Sequence, residues 1–329
     1  MKVIEPSYKI IDYNSTDQEA ILAHLERCGR TCYKSEKKIT DDSAKEFVQN
    51  LMKRKHEAMI EHASFAVIVE EDVFRDVLLH KGVCGTDNNT NYKQDWYSKT
   101  AINYMNFTWI QRPVISGNLR AWRNLLKGCK TKYQFLVLAK YFRNKFPELF
   151  SDITMPTNDD KIAEVETVSK LEYVEERFYH QTRSVRFICN RGFTHELVRM
   201  RPCSFAQEST RYCDYSGEVT NIRPEWLGEN NMKYDIWNNA VTYCEDHYKD
   251  LRDLGCKPQE ARGVLPIDVK TEIVLTTNLA EWWHIFGLRT ANAAHPSMQQ
   301  LMRPLCKEFQ KMEPEIFGDI SWESSPNQS

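Results

Sequence analysis

The stretch RMRPCSFAQESTRY, residues 199–212, concentrates cationic and hydrogen-bonding side chains on one short segment. Between residues 177 and 211 there are seven arginines and two glutamates, with no lysine or aspartate, yet the 329-residue protein has a formal charge of only -2. A planar guanidinium grips phosphate through paired hydrogen bonds and stays charged at physiological pH. We therefore interpret the stretch as a site for a small anion. The alternative is a basic surface patch with weak ion pairs to Glu196 and Glu208.

Two more arginines lie in apolar surroundings, Arg262 in EARGVLP and Arg289 in WWHIFGLRTAN. An unpaired charge buried among apolar side chains is very costly, so such an arginine usually has a partner that neutralises it. These two residues favour the anion site over the surface patch.

The composition excludes several classes of protein. A hydrophobic content of 41% is ample for a core, and no apolar run approaches the roughly 18 residues of a membrane span. The pI near 6.5 and the mixed charges outside residues 177–211 argue against duplex nucleic acid as a partner. The polar start MKVIEPSYKIIDYNSTDQE does not resemble a secretory signal, so we expect a cytoplasmic protein.

The ten cysteines are scattered, and no CxxC pair occurs among them. Their spacings match no common zinc pattern, so we expect no metal site. Reduced and mostly buried thiols are the expectation for a cytosolic chain.

The hydrophobic periodicity predicts an α+β fold, because helices and strands mix without a regular βαβ rhythm. Ser15 and Gln18 have capping-box spacing, and Thr194 is placed to cap a short helix that Pro202 must end. Other helices are expected at 15–29, from about 42, at about 118–127, 132–146, 232–254 and 279–289, and from Pro296, with strands at 62–69, 183–189 and 269–278. The shift to polar, loop-like composition between about 72 and 180, with two expected helices, indicates a largely helical insertion into a single domain, 1–329.

Four motifs, in this order along the chain, resemble those of one family. Arg199-Met200-Arg201, seven residues, Ser209 and then Arg211-Tyr212 is similar to the RHR-x7-S motif, usually followed by RY, of the flavin-dependent thymidylate synthases. The segments KRKHEAMIEHASFAVIV (53–69), EARGVLP (260–266) and TTNLAEWWHIFGLR (276–289) resemble that family's H-E-x-x-x-E-H, E-A-R-x-x-L-P and T-x-N…LR motifs. The resemblance covers about 1–70 and 183–313 and leaves 72–180 as the insertion.

The resemblance implies a methyltransferase that converts dUMP to dTMP, with FAD as cofactor and with NADPH and methylenetetrahydrofolate as co-substrates. It also implies a mixed-helix fold with an antiparallel-type sheet, and a homotetramer with active sites shared between subunits. The residues that it implies for catalysis are Arg199, Ser209, Arg211 and Arg289. For dUMP they are Glu196, Arg199, Gln207, Glu208, Ser209, Thr210, Arg211, Arg262 and Arg289. For the flavin they are His56, Ala58, Arg199, Arg201, Gln207, Asn278 and His284.

The chain departs from the family pattern at Met200, Ala280 and Ala293, where the resemblance leads us to expect histidine, arginine and histidine. All three changes fall on the flavin side of the implied site, and His295 lies two residues beyond the last of them. Two other functions therefore stay open. One is a related modification of a pyrimidine nucleotide, such as hydroxymethylation, and the other is nucleotide binding without turnover.

The resemblance also bears on the nucleophile. We interpret Ser209 as a hydroxyl that positions substrate, because it lacks the G-x-S-x-G context of an activated serine. A thiolate mechanism through Cys203 or Cys213 is the alternative, and nothing else in the chain supports it.

Overall fold

A computed structural model describes residues 1–86, 105–128, 133–154, 164–168, 170–228 and 232–322. The predicted connector GTDNNTNYKQDWYSKT therefore lies almost entirely outside the described residues, and SDITMPTNDDKIAEVE does so in part.

The strands and helices of the described residues are numbered in chain order. The strands are β1 (Lys2–Ile4), β2 (Ser7–Ile10), β3 (Ser64–Ile68), β4 (Asn106–Trp109), β5 (Pro113–Asn118), β6 (Glu166–Val168), β7 (Thr182–Asn190), β8 (Ser204–Gln207), β9 (Thr220–Ile222) and β10 (Lys270–Asn278). The longer helices are α1 (Gln18–Tyr33), α2 (Ser43–Lys53), α3 (Glu71–Thr86), α4 (Leu119–Gly128) and α5 (Tyr133–Lys145) in the first half of the chain. The helices that follow, some of them a single turn long, are α6 (Pro147–Phe150), α7 (Val174–His180), α8 (Arg191–Leu197), α9 (Met232–Asp253), α10 (Pro258–Ala261), α11 (Leu279–Arg289), α12 (Pro296–Met312) and α13 (Pro314–Phe317).

The chain divides into two compact units, each assembled from separated stretches. The first consists of Met1–Ile11, Gly29–Glu36 and Arg183–Ser329, and the second of Asp12–Cys28 and Lys37–Thr182. Mixed helices and antiparallel strand pairs make the fold α+β, as the periodicity predicted.

The first unit is organised around a four-stranded sheet in the order β2–β7–β10–β8. β10 pairs antiparallel with β8, with Thr276 opposite Ser204 and Ile273 opposite Gln207. Its sequence KTEIVLTTN is rich in the β-branched residues that fit a pleated, buried strand. β1 and β9 form a separate parallel pair.

An aromatic cluster fixes the helices that follow this sheet. Trp282 and Phe286 of α11 stack at 5.4 Å between ring centroids, and Phe309 of α12 lies 5.1 Å from Phe286. These side chains are fully buried, so α11 is held firmly against α12. The helix that Asn278 caps, and that carries His284 and Arg289, therefore has a rigid base.

The second unit contains an antiparallel sheet in the order β4–β5–β3–β6. Its core is aromatic, with Phe65 of β3 5.0 Å from Phe146 and Trp122 of α4 4.8 Å from Phe142 between ring centroids. β3 lies before the predicted insertion, whereas β4, β5 and β6 lie within it. The described part of 72–180 thus shares one sheet with Ser64–Ile68, and its extent as an insertion stays a prediction.

Two predicted helix starts are wrong. α1 begins at Gln18, with Oδ1 of Asp17 accepting from the Glu19 N–H at 3.1 Å, so Ser15 does not cap it. α8 begins directly after β7, because Oδ1 of Asn190 accepts from the Phe193 N–H at 2.8 Å and is a strong N-cap. Thr194 lies inside this helix, where its hydroxyl donates to the Arg191 carbonyl.

The end of α8 also differs from the prediction. The helix stops at Leu197 and not at Pro202, so Arg199 lies in the turn that follows it. Several other long elements were predicted to within a few residues, including α9 and its stop at Gly255, where φ is +90°. The helix α3 was not predicted, and α1 continues to Tyr33 and does not end at Gly29. Within the described ranges, no helix combines the length and the apolar character needed to cross a membrane.

Candidate functional site

The centre of the candidate site is a tight turn at the end of β8. The strand leaves the sheet at Glu208, whose N–H donates to the Glu272 carbonyl at 2.8 Å. The Ser209 carbonyl accepts from the N–H groups of Tyr212 at 3.1 Å and Cys213 at 2.9 Å. The Ser209 N–H itself donates to the Cys32 carbonyl at 3.0 Å. Ser209, Thr210 and Arg211 thus lie on one turn held by main-chain bonds at the sheet edge.

A second segment brings another guanidinium to this turn. Nη1 of Arg262 donates to the hydroxyl of Thr210 at 3.3 Å, and Nε of Arg211 donates to Oε1 of Gln259 at 3.2 Å. Both arginines are exposed. Two exposed forked cations therefore flank Thr210, an arrangement suited to a phosphate or another small anion.

The Arg289 guanidinium is bound to α8 and to the turn after it. Nη1 donates to Oε2 of Glu196 at 2.8 Å, and Nη2 lies 3.1 Å from the Glu196 carbonyl and 3.8 Å from Sδ of Met200. Met200 is only 5% exposed. The side chain that replaces the family's histidine is therefore buried against Arg289 and is not displayed on a surface.

The remaining two arginines of the opening motif differ from each other. Arg199 is exposed, and its side chain has no hydrogen-bond or ion-pair partner among the residues that the structure describes. Arg201 is also exposed, but its Nη1 donates to the carbonyls of Val198 and Met200, the latter at 2.7 Å. Arg199 is thus the more available of the two for a ligand.

Two predicted substrate residues are engaged inside the first unit. Nε2 of Gln207 donates to the hydroxyls of Thr194 at 3.0 Å and Thr271 at 3.4 Å. The Glu208 carboxylate is 2% exposed and accepts from the Tyr215 hydroxyl at 2.7 Å and from Nζ of Lys270 at 2.9 Å. Their contacts with a substrate stay predictions.

The other predicted flavin residues lie at α11 in the first unit and on one segment of the second unit. Oδ1 of Asn278 caps α11 by accepting from the Glu281 N–H at 2.9 Å, and His284 is exposed on the same helix. His56 and Ala58 are exposed in the second unit, after α2. Ala293 is exposed, and the nearby His295 is occupied in capping α12.

Sequence reasoning missed one carboxyl at this site. Glu281 is 8% exposed on the first turn of α11, and the Cys203 thiol donates to its Oε1 at 3.9 Å. Burial raises the pKa of Glu281 from its ordinary value of 4.5 to about 7. The available signal was its position three residues after Asn278, the spacing of a first-turn acid behind an N-cap.

Sequence reasoning also missed that Lys270 would bind the carboxylates of Glu208 and Glu272. The available signal was the pair of charged residues, Lys270 and Glu272, at alternate positions of the strand KTEIVLTTN. Residues two apart on a strand face the same side of the sheet, so these charges need a buried partner.

The cysteines offer no nucleophile here. Burial raises the pKa of the Cys203 thiol well above its usual range, and burial likewise raises the pKa of Cys213. A thiolate at either position is therefore disfavoured. All cysteines whose side chains are described are free thiols, and only some of them are buried. The described residues contain no cluster of histidine, cysteine and carboxylate side chains that could hold a metal ion.

The fold and these side chains define an α+β protein with an exposed, arginine-rich turn at the edge of a sheet. A family described as thymidylate synthase complementing protein matches residues 9–141 and 161–315. The match spans most of the sequence, so the chain belongs to this family.

Individual relatives agree with this assignment. The chain is 33% identical over 137 residues to a flavin-dependent thymidylate synthase of Pyrococcus furiosus, which is 41% of this chain and 56% of the relative. A protein of the same description from Geobacter sulfurreducens is 31% identical over 131 residues, 40% of this chain and 56% of the relative. A third flavin-dependent thymidylate synthase, from Corynebacterium glutamicum, is 29% identical over 178 residues, which is 50% of this chain and 68% of the relative. The chain thus spans about half the length of the first two relatives.

Proposed function

We propose that this protein is a flavin-dependent thymidylate synthase that converts dUMP to dTMP with methylenetetrahydrofolate, FAD and NADPH. The contact between Arg262 and Thr210 carries the proposal, because it places a second exposed guanidinium beside Ser209 and Arg211. The motifs that contain these residues are separated along the chain, so the turn gathers two of the four recognised segments at one place.

The proposed roles follow from charge and position. Arg211 and Arg262 bind the phosphate or the carbonyl oxygens of dUMP, and Ser209 and Thr210 orient it through hydroxyl groups. Negative charge develops on the uracil carbonyl oxygens when C6 accepts a hydride equivalent and C5 becomes nucleophilic, and fixed guanidiniums stabilise this charge without reorganisation. Arg199 acts beside them, Arg289 completes the nucleotide site, and no protein nucleophile is needed.

The residues present fit a flavin nucleotide on the other side of Arg199. The exposed guanidiniums of Arg199 and Arg201 supply charge opposite to a diphosphate, and the exposed His284 lies on the neighbouring helix α11. Asn278, His56, Ala58 and Gln207 are the other contacts implied by the motifs. When bound, reduced FAD supplies the hydride of the reaction. The chain's own residues orient the two ligands.

The first test is the absorbance spectrum of the purified protein with excess FAD, before and after addition of dUMP. We expect a bound flavin spectrum that changes with dUMP, followed by formation of dTMP when NADPH and methylenetetrahydrofolate are added. A protein that binds dUMP and no flavin would contradict the proposal and leave nucleotide binding without turnover. Mass analysis of the product distinguishes methylation from hydroxymethylation.

We also propose the homotetramer that the motifs imply. Met232, Ile236 and Tyr243 of α9 are exposed apolar side chains at helical spacing, which is typical of a surface that packs against another protein. Light scattering coupled to size-exclusion chromatography tests this, and a monomeric mass would contradict it.

A further inference from the structure

A buried hydrogen bond joins the two residues that flank the candidate turn. The Tyr215 hydroxyl donates to Oε1 of Glu208 at 2.7 Å, and these two residues are 3% and 2% exposed. The chain between them is residues 209–214, which contains Ser209, Thr210 and Arg211. The contact therefore closes this short loop at its base.

The charge of Glu208 is held in place from β10. Nζ of Lys270, only 8% exposed, donates to Oε2 of Glu208 at 2.9 Å and also to Oε1 of Glu272. Glu272 in turn accepts from Nε of Arg186 at 2.8 Å. An isolated buried carboxylate would be very costly, so this alternation of opposite charges compensates Glu208 and orients its carboxylate.

The hydroxyl of Tyr215 is a permanent donor in this contact. Burial, reinforced by the negative charge of Glu208, raises the pKa of Tyr215 far above its usual range. Tyr215 is also anchored through its main chain, since its N–H donates to the Tyr248 hydroxyl at 3.3 Å. Both ends of the loop are thus fixed to rigid elements of the first unit.

We propose that Glu208 and Tyr215 are positioning residues, whose hydrogen bond presets the loop that carries Ser209 and Arg211 for the phosphate of a pyrimidine nucleotide. The proposal rests on the proposed function, and it assigns the buried Glu208 side chain to loop closure instead of substrate contact. A loop ordered before the ligand arrives loses less conformational entropy on binding, so its affinity is higher.

The variant Tyr215→Phe tests the proposal because it removes only the hydroxyl. We expect about a tenfold rise in the dUMP dissociation constant by calorimetry, with FAD affinity unchanged, as for a lost hydrogen bond to a charged acceptor. The KM for dUMP should rise while kcat at saturating dUMP is preserved. Without any ligand, amide hydrogen exchange of residues 209–213 should accelerate.

The matched control is Tyr8→Phe. The Tyr8 hydroxyl donates to Oε1 of Glu308 at 2.7 Å in the same unit, away from the loop, so the same atom and the same kind of bond are removed. We expect dUMP affinity and exchange of residues 209–213 to stay as in the wild type.

A second variant keeps the proposal testable if Tyr215→Phe does not fold. Glu208→Gln keeps an acceptor for Tyr215 but removes the charge that orients it toward Lys270, and it should accelerate exchange in the same loop. The double variant should weaken dUMP binding no more than the stronger single change, because both changes act through the same hydrogen bond.

The possible outcomes separate the two proposals. Unchanged exchange and unchanged dUMP affinity in Tyr215→Phe, or additive effects in the double variant, would overturn loop closure. If the wild type binds no dUMP, the proposed function fails, while the exchange measurement on the ligand-free protein still decides whether the hydrogen bond closes the loop.

Discussion

Arg289 and Glu196 form an ion pair with a 2.8 Å hydrogen bond, and Arg289 also donates to the Glu196 carbonyl. These residues come from α11 and α8, 93 positions apart along the chain. Both charged side chains of this pair are partly buried. An arginine proposed to complete the nucleotide site is therefore already neutralised by a carboxylate of the same chain.

This pairing predicts that Glu196→Gln tightens dUMP binding. The carboxylate competes with the ligand for Arg289 and repels its phosphate, whereas the amide does neither, so the dissociation constant should fall roughly three- to tenfold. Calorimetric titration with dUMP at low ionic strength measures the effect.

Glu5→Gln is the control for this charge change, because Glu5 pairs with Arg223 in the same unit at 2.6 Å and is exposed. It should leave the affinity unaltered. Weaker binding in Glu196→Gln would instead mean that the carboxylate itself bonds to the nucleotide.

A second prediction concerns the fork of Arg211. Arg211→Lys keeps the charge but loses the planar pair of donors, so we expect the KM for dUMP to rise about tenfold or more. Steady-state rates against dUMP concentration measure it. The same change at Arg223, an arginine paired with Glu5 away from the turn, should have no effect. Equal KM values for Arg211→Lys and the wild type would exclude Arg211 from the phosphate site.

The raised pKa of Glu281 leads us to expect that the stability of the protein depends on pH. Burial raises the pKa of Glu281 from 4.5 to about 7. Between pH 4.5 and pH 7 the folded protein therefore binds this proton more tightly than the unfolded chain does. The free energy of unfolding therefore falls as the pH rises through this window, by up to about 3 kcal/mol, and this contribution levels off above it.

Glu281→Gln should remove this contribution to the slope. Urea denaturation at about pH 5 and about pH 8 measures it in the variant and the wild type. The exposed Glu225 offers the control substitution Glu225→Gln, which should retain the wild-type slope. An identical slope in Glu281→Gln would show that the carboxyl ionises normally.

Neither Cys203 nor Cys213 is expected to act as a nucleophile. Because burial raises the pKa of both thiols, Cys203→Ala and Cys213→Ala should each retain dTMP formation within a few-fold of the wild type. Initial rates at saturating substrates check this. A loss of several orders of magnitude in one folded variant, as expected when a covalent nucleophile is removed, would reinstate the thiolate mechanism.

Local patterns predicted some features of the molecule better than others. The amphipathic period identified α9 and its glycine stop, and β-branched runs identified β3 and β10. The start of α8 was misplaced because Asn190, the better cap, is itself the last residue of β7, and no pattern in the sequence chooses between two nearby caps.

The sequence by itself determined the family, the class of fold and the guanidinium chemistry, because motif order, hydrophobic period and residue type are properties of the linear chain. Only the tertiary structure decided which charges meet. It paired Arg289 with Glu196, placed Arg262 on Thr210, and buried Glu208 between Tyr215 and Lys270. Each of these contacts joins segments that are brought together by the packing of the sheet and helices. A hydrogen bond forms only when two atoms are within about 3.5 Å, so residue types alone do not predict which side chains will be paired.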